Sequence, residues 1–282
     1  MLAFEVLELG FMQRALIAGA AVAITASVIG LFLVLRRSSL FGDALSHVAF
    51  GGIAVGLVAN VYPLWTALGF SALGALGITK LRQSTKIPAD ATVAILLSSG
   101  LAFGILLVSL SGGFKLDLFS FLFGSILLVS VSDTLAILAM TGAILAIVIV
   151  LYRQLMYITF DEEQAKVSGL HIAPLNYLFV VLASIAVVVS MRLVGILLVS
   201  ALIVIPNVTA LLLGKGFKKT ALISVLVSVL SVMTGIAISY AFNLAPAGTI
   251  VLVSTGAFLI TLAAKYSTKK KVSEKLIEET KS

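Results

Sequence analysis

Long apolar stretches, separated by short polar ones, dominate the pattern of the chain. The apolar stretches fall near residues 13–35, 43–60, 63–80, 89–111, 133–152, 173–190, 193–213, 220–242 and 247–264. Most are close to the roughly 20 residues that an α-helix needs to cross a bilayer. They are continuous runs of Leu, Ile, Val, Ala and Gly, whereas strands of a membrane barrel are about ten residues of alternating polarity. The pattern predicts an all-α polytopic bundle of eight or nine transmembrane helices.

Two regions decide the number of spans. The second and third stretches are short, and only Val61 and Tyr62 separate them. Residues 113–131 are apolar but include Asp117, so they either span the membrane or re-enter it from the outer side as a half-helix buried against protein. The acidic first ten residues lack the basic region of a signal peptide, so no cleavage is expected.

Composition supports this class of protein and excludes others. Hydrophobic residues make up 61% of the chain and charged residues 11%, whereas a soluble domain has roughly 45–50% and about 25%. A water-soluble globule of 282 residues could not bury that much apolar surface. Because the chain has no cysteine, disulfide scaffolds and thiolate metal or redox sites are excluded. The two histidines, His47 and His171, leave room for few acid–base or soft-metal sites.

The basic residues indicate the orientation. All of the 19 Lys and Arg residues except Arg14, Lys115 and Arg192 lie in alternate connections or in the C-terminal tail. The positive-inside rule makes those connections cytoplasmic, in a multi-pass plasma-membrane protein whose N-terminus is outside if there are nine spans. The net charge of +7 is then a topology signal and not a nucleic-acid surface. No internal repeat is visible, which predicts one transmembrane domain over 1–264 and a charged cytoplasmic tail over 265–282.

Asp43 and His47 are the clearest ionisable pair inside an apolar stretch, where such groups are costly and indicate function. Because they are four residues apart, they share one face of a helix. A carboxylate and an imidazole one turn apart supply half of a four-ligand site for a divalent metal. A second copy of the chain, related by two-fold symmetry, would supply the other half. Alternatively, Asp43 caps its helix and His47 bonds to a neighbour.

The other charged residues near the spans have simpler explanations. Asp90 and Asp133 each open a span and are expected to cap it, where the helix dipole favours a negative charge. Lys115 and Asp117 lie near the outer face and either meet an external partner or pair locally. Arg192 lies between two spans on the outer side and is expected to snorkel to the interface.

Residues 159–171 form the longest polar segment between spans and predict a short cytoplasmic helix. Thr159 or Asp161 can cap this helix, acidic residues follow in its first turn, and Gly169 can end it. Such a helix suits docking to a soluble partner, although a simple connector has the same pattern. We expect His171 to belong to the same surface and not to act as a ligand.

Pro206 and Asn207 interrupt the seventh apolar stretch and are candidate pathway or gating residues. Proline breaks the backbone ladder, so the pair marks either a kink that lines a polar cavity or a packing joint against another helix. The chain has no GxxxxGK[ST] phosphate loop and no nucleophile–base pair, so it is not expected to be an enzyme. Any energy source must come from another chain.

The sequence resembles the membrane permeases of zinc and manganese ABC transporters, the ABC-3 family that includes ZnuB-like subunits. The resemblance extends over most of the chain, and its first and fifth segments are quite specific. The matching segments are LRRSSLFGDALSHVAFGGIAVG (35–56), PADATVAILL (88–97), LDLFSFLFGSILLVS (116–130), TFDEEQAKVSGL (159–170), RLVGILLVSALIVIPNVTALLL (192–213) and LAPAG (244–248).

The resemblance implies a homodimer with the fold of type-II importers such as the vitamin-B12 permease, set in lipid. It implies two cytoplasmic ATP-binding subunits and an extracellular metal-binding protein that delivers the ion. Asp43 and His47 would belong to the metal path, and residues 159–170 would form a coupling helix in a groove of the ATPase. Zinc, manganese or iron would be cargo, and no cofactor is bound permanently. The coupling residues would be Asp161, Glu162, Glu163, Ala165 and Gly169.

Alternating access is the mechanism that the resemblance implies. ATP binding closes the ATPase dimer and pushes on the 159–170 helices, which opens the axial path outward, and hydrolysis returns it to the cytoplasm. One position departs from the family, because zinc permeases often carry Asp after LFG where this chain has Ser125. The alternatives are a permease for a siderophore or corrinoid chelate, a self-sufficient channel or proton-coupled carrier, and a purely structural membrane anchor.

Overall fold

The computed structural model of the chain describes residues 10–84, 87–110, 121–124 and 130–279. Most of the predicted stretch 113–131, with Lys115, Asp117 and Ser125, therefore lies outside the described residues. The helices are α1 (Gly10–Leu35), α2 (Phe41–Val58), α3 (Pro63–Ser84), α4 (Ala89–Leu110), α5 (Val131–Val150), α6 (Tyr152–Phe160), α7 (Glu162–Val167), α8 (Ile172–Val194), the 3-10 turn Ile196–Leu198, α9 (Val199–Leu212), α10 (Phe217–Phe242) and α11 (Pro246–Glu279).

The two ends of the bundle follow from the side chains that meet there. At one end, Arg36, which follows α1, donates hydrogen bonds to Thr159 in α6 and to Asn176 in α8. At the other end, Arg192 in the last turn of α8 pairs with Asp133 in the first turn of α5. The basic connections lie at the first end, so the positive-inside rule makes that end cytoplasmic.

The described part of the chain has eight full-length candidate spans and one shorter apolar segment that runs between the two ends of the bundle. Eight of its helices are long and apolar enough to span a bilayer, and Ile196–Leu212 forms a shorter apolar helix. That shorter segment leads from the outer end of α8 to Phe217, which packs on Phe32 and Phe160 at the cytoplasmic end. At about 1.5 Å per residue its length is roughly 25 Å, close to the thickness of the hydrocarbon core. The eight long helices and this shorter one together give nine candidate spans, which is the larger of the two numbers that the sequence predicts.

The core of the bundle forms around α1 and α2, which are buried over most of their length, whereas only 28%, 22% and 22% of the spans in α3, α4 and α11 are buried. α1 runs antiparallel to α10, since Ser27 bonds to the backbone of Ser224 and Phe32 packs on Phe217. α10 and α11 form a hairpin in which Asn243, in the left-handed conformation, ends α10. The helices thus arrange themselves by side-chain packing, as expected in lipid.

α2 lies between α3 and α4 and is held close to both by glycines. The side chain of Val48 contacts Gly74 and Gly100, which are middle residues of α3 and α4. A Cβ atom at Gly100 would lie 2.8 Å from the backbone nitrogen of Val48, so only glycine permits this approach. Small residues allow helix backbones to come together in membranes. Val48 therefore lies at the middle depth of the bundle.

We expect Gly100→Val to destabilise the protein by about 1–3 kcal/mol, because the added methyl groups force α2 away from α4. Gly142→Val in α5 is a matched control, since a Cβ there meets nothing within 4 Å and the change in helix propensity is the same. Unfolding of the two purified variants in detergent checks the difference. Equal loss of stability in both would contradict the close α2–α4 contact.

Candidate functional site

Asp43 and His47 occupy the first two turns of α2, well inside the bundle. α2 begins at Phe41 without a side-chain cap, so a backbone turn starts it and the carboxylate of Asp43 faces the positive end of the helix dipole. Gly42 packs against Ile203 of α9 and Val187 of α8. Because His47 is adjacent to Val48 in the chain, His47 lies near the middle depth of the bundle, and Asp43 lies about one helical turn closer to the cytoplasmic end.

The two side chains face each other with ligand atoms close together. The distance from Asp43 Oδ1 to His47 Nε2 is 3.9 Å, and their side chains are 27% and 13% exposed. Oxygen and nitrogen ligands on one tetrahedral ion, each at about 2.1 Å, lie roughly 3.4 Å apart. A small rotation of either side chain would therefore bring both atoms into the coordination sphere of one ion.

The structure favours neither of the simpler explanations for this pair. The N-cap position of α2 is Leu40, and Asp43 is the third residue of the helix, so its carboxylate is not a cap. His47 Nδ1 is buried and has no hydrogen-bond partner among the described residues. Among the described residues, the Asp43 carboxylate accepts a hydrogen bond from Ser200 Oγ at 3.5 Å, which is at the upper limit for such a bond. Both side chains thus keep lone pairs that a cation can use.

A single copy of the chain provides only part of a metal site at this position. Within the described ranges no group of three or more His, Cys, Asp or Glu residues is placed to hold an ion. Ser200, at the start of α9, adds a hydroxyl next to Asp43. No sequence signal could have identified Ser200, because 157 residues separate it from Asp43. The described residues of one copy therefore do not complete a metal site at this position.

The polar segment predicted to be a short helix is one, and its limits have clear causes. Asp161 caps α7 by accepting a hydrogen bond from the backbone nitrogen of Gln164 at 2.9 Å. At the other end, Gly169 takes a positive φ of 84°, and the backbone nitrogen of Leu170 bonds to the carbonyl of Ala165. This Schellman motif is a common helix end. Thr159 is not a cap, since it belongs to α6 and accepts a hydrogen bond from Arg36.

α7 has one buried face and one exposed face. Ala165 is fully buried against the bundle, whereas Glu162, Glu163 and Lys166 are exposed and Val167 is 89% exposed. An exposed valine flanked by charged side chains on a short, well-capped helix is suited to a protein partner. His171 precedes α8 and is also exposed.

At the outer end, the expectation that Arg192 snorkels to the interface was wrong. Arg192 Nη2 lies 2.9 Å from Asp133 Oδ1, and the two side chains are only 15% and 3% exposed. The guanidinium also donates to the hydroxyl of Tyr62 at 2.8 Å and lies over the ring of Phe121. Arg192 lies inside the bundle because it pairs with Asp133, and a charge that is buried this far is stable only when it is paired.

Asp133 has the predicted capping role and a second one. It forms a capping box with Ser130 at the start of α5, and it accepts a hydrogen bond from the hydroxyl of Tyr62. Burial raises the pKa of the Tyr62 phenol, with the bond to Asp133 as a further cause, so the phenol stays neutral and can donate. Asp90 differs from Asp133, because it lies one residue inside α4 and contributes only through the dipole.

Pro206 and Asn207 lie in a joint between helices. Asn207 is fully buried, its Oδ1 accepts from Ser224 of α10 at 2.6 Å, and its Nδ2 donates to the carbonyl of Ile203 at 2.7 Å. Gly30 of α1 packs directly on the Asn207 amide and the Ile203 carbonyl. This geometry favours the packing joint of the two alternatives. A pathway or gating role for the two residues stays a prediction.

Comparisons with known proteins agree with this architecture. A family model described as the ABC 3 transport family matches residues 8–265. The manganese transport system membrane protein MntC of Listeria innocua is 34% identical over 274 residues, which cover 95% of this chain and 98% of that protein. The manganese import system permease protein ScaB of Streptococcus gordonii is 32% identical over 251 residues, or 89% of this chain and 90% of that protein.

A solved structure has the same fold. PsaBC from Streptococcus pneumoniae, in complex with Fab, matches with a TM-score of 0.83 and 34% identity, over 92% of this chain and 93% of that chain. The likeness confirms the predicted all-α, type-II importer fold. The family match covers most of the sequence and agrees with the relatives and with the fold, so the chain belongs to the ABC 3 transport family.

Proposed function

We propose that this chain is the membrane permease of an ATP-driven importer of divalent metal ions, with manganese as the preferred cargo. The observation that carries the proposal is the Asp43–His47 pair, whose oxygen and nitrogen atoms lie 3.9 Å apart, with His47 near the middle depth of the bundle. Ionisable groups in this position are costly and are kept for a purpose. Their free lone pairs offer a dehydrated cation the ligands that hydrocarbon cannot.

The path forms between two copies of the chain. One copy supplies one carboxylate and one imidazole, and a two-fold axis beside α2 doubles this to two oxygen and two nitrogen ligands. Closed two-fold dimers are the commonest protein assemblies. The partial exposure of both side chains in a single copy agrees with a partner that covers them. The four-ligand set binds the ion and can still release it when the two copies move apart.

The choice of manganese rests on chemistry and on relatives. Carboxylate oxygens with imidazole nitrogens suit manganese, iron and zinc alike, and affinity alone would favour zinc. Two relatives with more than 30% identity carry manganese in their names. Ser125 stands where zinc permeases of this family often have an acidic residue, so this chain lacks one feature of the zinc members. Manganese is therefore the cargo to test first.

The cytoplasmic ATP-binding subunit docks on α7 and the residues around it. Asp161, Glu162, Glu163 and Gly169 define the limits and the exposed face of this helix, and Ala165 seats it on the bundle. Because α7 has only six residues, it depends on its cap more than a long helix does. The chain itself supplies no nucleotide-binding loop, so a separate subunit provides the ATPase.

We expect Asp161→Ala to weaken binding of the ATP-binding subunit by about five- to tenfold, because loss of an N-cap costs about 1 kcal/mol and a frayed helix presents a poorer surface. Asp161→Asn is the matched control, since asparagine caps as well as aspartate. Titration of the purified permease with the ATPase subunit measures both affinities. A similar loss in the asparagine variant would show that the charge, and not the cap, matters.

Reconstitution tests the proposed function directly. Proteoliposomes that contain this chain and its cognate ATP-binding subunit should take up radioactive manganese when ATP and the metal-binding protein are supplied. Uptake of manganese without the ATPase would favour a self-sufficient carrier. Uptake of an iron or cobalt chelate instead of the free ion would favour the siderophore or corrinoid permease, which needs no ligands in its path.

A further inference from the structure

Arg36 is a half-buried arginine at the cytoplasmic end that the transport chemistry above does not use. Its Nε donates to Thr159 Oγ1 at 3.0 Å and its Nη1 donates to Asn176 Oδ1 at 3.0 Å. The guanidinium also lies 4.3 Å from the centre of the Phe179 ring. These partners belong to two other helices, α6 and α8, so Arg36 connects the end of α1 to both of them.

The same network reaches the segment that docks the ATPase. Asn176 uses its other side-chain atom, Nδ2, to donate to Glu162 Oε1 of α7 at 3.3 Å. Asn176 therefore joins Arg36 to α7 while Thr159 joins Arg36 to the last turn of α6. Burial lowers the pKa of Arg36 to about 10, and Glu162 opposes this shift. The guanidinium is still charged at neutral pH, which makes its hydrogen bonds strong ones.

A cluster of aromatic side chains next to Arg36 makes the contact of Arg36 with α6 and α8 rigid. Phe217 packs on Phe32 of α1, on Tyr152 at the start of α6 and on Phe160 at its end. Phe32 in turn packs edge-on against Phe179, the ring beneath Arg36. Packed side chains transmit displacement because they resist compression. Movement of α6 and α7 is therefore passed to the end of α1.

Arg36 is also close in sequence to the metal site. Arg37 ends α1 in the left-handed conformation, with a φ of 54°, and the backbone nitrogen of Phe41 then bonds to the carbonyl of Ser38 to start α2. Asp43 lies only seven positions after Arg36. Because this turn is short and hydrogen-bonded, a displacement of Arg36 is passed to the first turn of α2.

We propose that Arg36 is the positioning residue through which the ATPase-docking segment moves the Asp43–His47 pair. This inference rests on the proposed function and extends it, because it names the connection between the ATPase and the ion site. When α7 is displaced, Asn176 and Thr159 pull on the guanidinium, and the turn after α1 carries the pull into α2. A change in the position of α2 changes the distance between the ligands of the two copies. The ion is then bound or released.

Arg36→Gln tests the connection in the reconstituted complex, with manganese uptake and ATP hydrolysis measured side by side. We expect uptake to fall at least tenfold while ATP hydrolysis falls less than twofold, so that more ATP is consumed for each ion. Arg37→Gln is the matched control, because Arg37 is the adjacent, exposed arginine and its loss removes the same charge. It should keep the native ratio of ATP to ion. Thr159→Val combined with Asn176→Leu removes the acceptors and should reproduce the Arg36→Gln ratio.

Hydrogen–deuterium exchange of the permease alone provides a second readout that needs no transport. Arg36→Gln should raise exchange over residues 159–170 and at the start of α2, whereas Arg37→Gln should not. Unchanged exchange, or a ratio of ATP to ion equal to that of Arg37→Gln, would overturn the inference. So would a variant that loses the ATPase subunit altogether, because Arg36 would then only stabilise the fold. If the unsubstituted complex takes up no manganese, the proposed function fails, and exchange still reports on the contact.

Discussion

Asp43→Asn and His47→Gln are each expected to lower manganese uptake by the reconstituted complex at least about 100-fold. In a two-fold symmetric path, each substitution removes two of the four ligands at once. Loss of a hydrogen-bond partner behind a metal ligand already costs about 10–100-fold, so direct loss of ligands costs more. Neutral asparagine in particular leaves a doubly charged ion without the negative charge that offsets its dehydration.

A matched substitution elsewhere separates the loss of ligands from general damage. Asp90→Asn makes the same chemical change at an exposed position one residue inside α4. This variant should transport within about twofold of the parent, as surface changes usually do little. Hydrolysis of ATP by the Asp43 and His47 variants should persist, because the docking surface is on α7. Native uptake by either ligand variant would refute the site.

Ser200→Ala should have an intermediate effect on uptake. Ser200 Oγ is 3.5 Å from Asp43 Oδ1, so it orients the carboxylate weakly and holds no ion by itself. Loss of such a partner costs about tenfold at the lower end of the usual range. Uptake assays over a range of manganese concentrations should show this loss as a lower apparent affinity for manganese. An effect as large as that of Asp43→Asn would make Ser200 a ligand in its own right.

The spans could be predicted from the sequence because each depends on a local property. α1 begins three residues before its apolar stretch and ends with it, and α2 begins two residues before its own. Continuous apolar residues make a helix the one structure that satisfies the backbone in lipid, and tertiary contacts need not be known. The short helix α7 was predictable for a similar reason, since Asp161 and Gly169 act on the residues next to them.

The contacts between distant segments could not be predicted in this way. Arg192 has Asp133 as its partner, 59 positions away in the chain, and Arg36 has Thr159 as a partner 123 positions away. A single sequence gives the periodicity of each helix but not which faces meet. Arg192 was therefore assigned to the interface, where an arginine without a partner would lie. The depth of His47 likewise follows from the contacts of Val48 with Gly74 and Gly100.

Helix periodicity in the sequence predicts one part of the site well, namely the Asp43–His47 pair on one helical turn. Positions four apart always share a helix face, so Asp43 and His47 had to be neighbours if α2 formed. That their ligand atoms lack strong partners is a property of the surrounding helices. Leu40 occupies the cap position, and the apolar side chains of Ile203 and Val187 pack against Gly42 at the start of α2.

Asp133→Asn is expected to destabilise the protein by about 3–5 kcal/mol, the usual cost of leaving one charge of a buried pair without its partner. Asparagine keeps the size of aspartate, and its side-chain oxygen can still accept the hydrogen bond from the backbone nitrogen of Ser130, the N-cap of α5, so the change acts mainly on the charge. Arg192 is left with the hydroxyl of Tyr62 and the ring of Phe121, whose attraction offsets part of the loss. Thermal unfolding in detergent measures the effect.

A double substitution shows whether Asp133→Asn loses stability because the ion pair is lost or because a buried charge is left unpaired. Adding Arg192→Met to Asp133→Asn removes the buried guanidinium and fills its volume with an apolar side chain, which is often neutral or stabilising. We expect the double variant to recover at least about 2 kcal/mol relative to Asp133→Asn alone, a coupling that is typical of contacting residues. Additive losses would mean that the two side chains act independently.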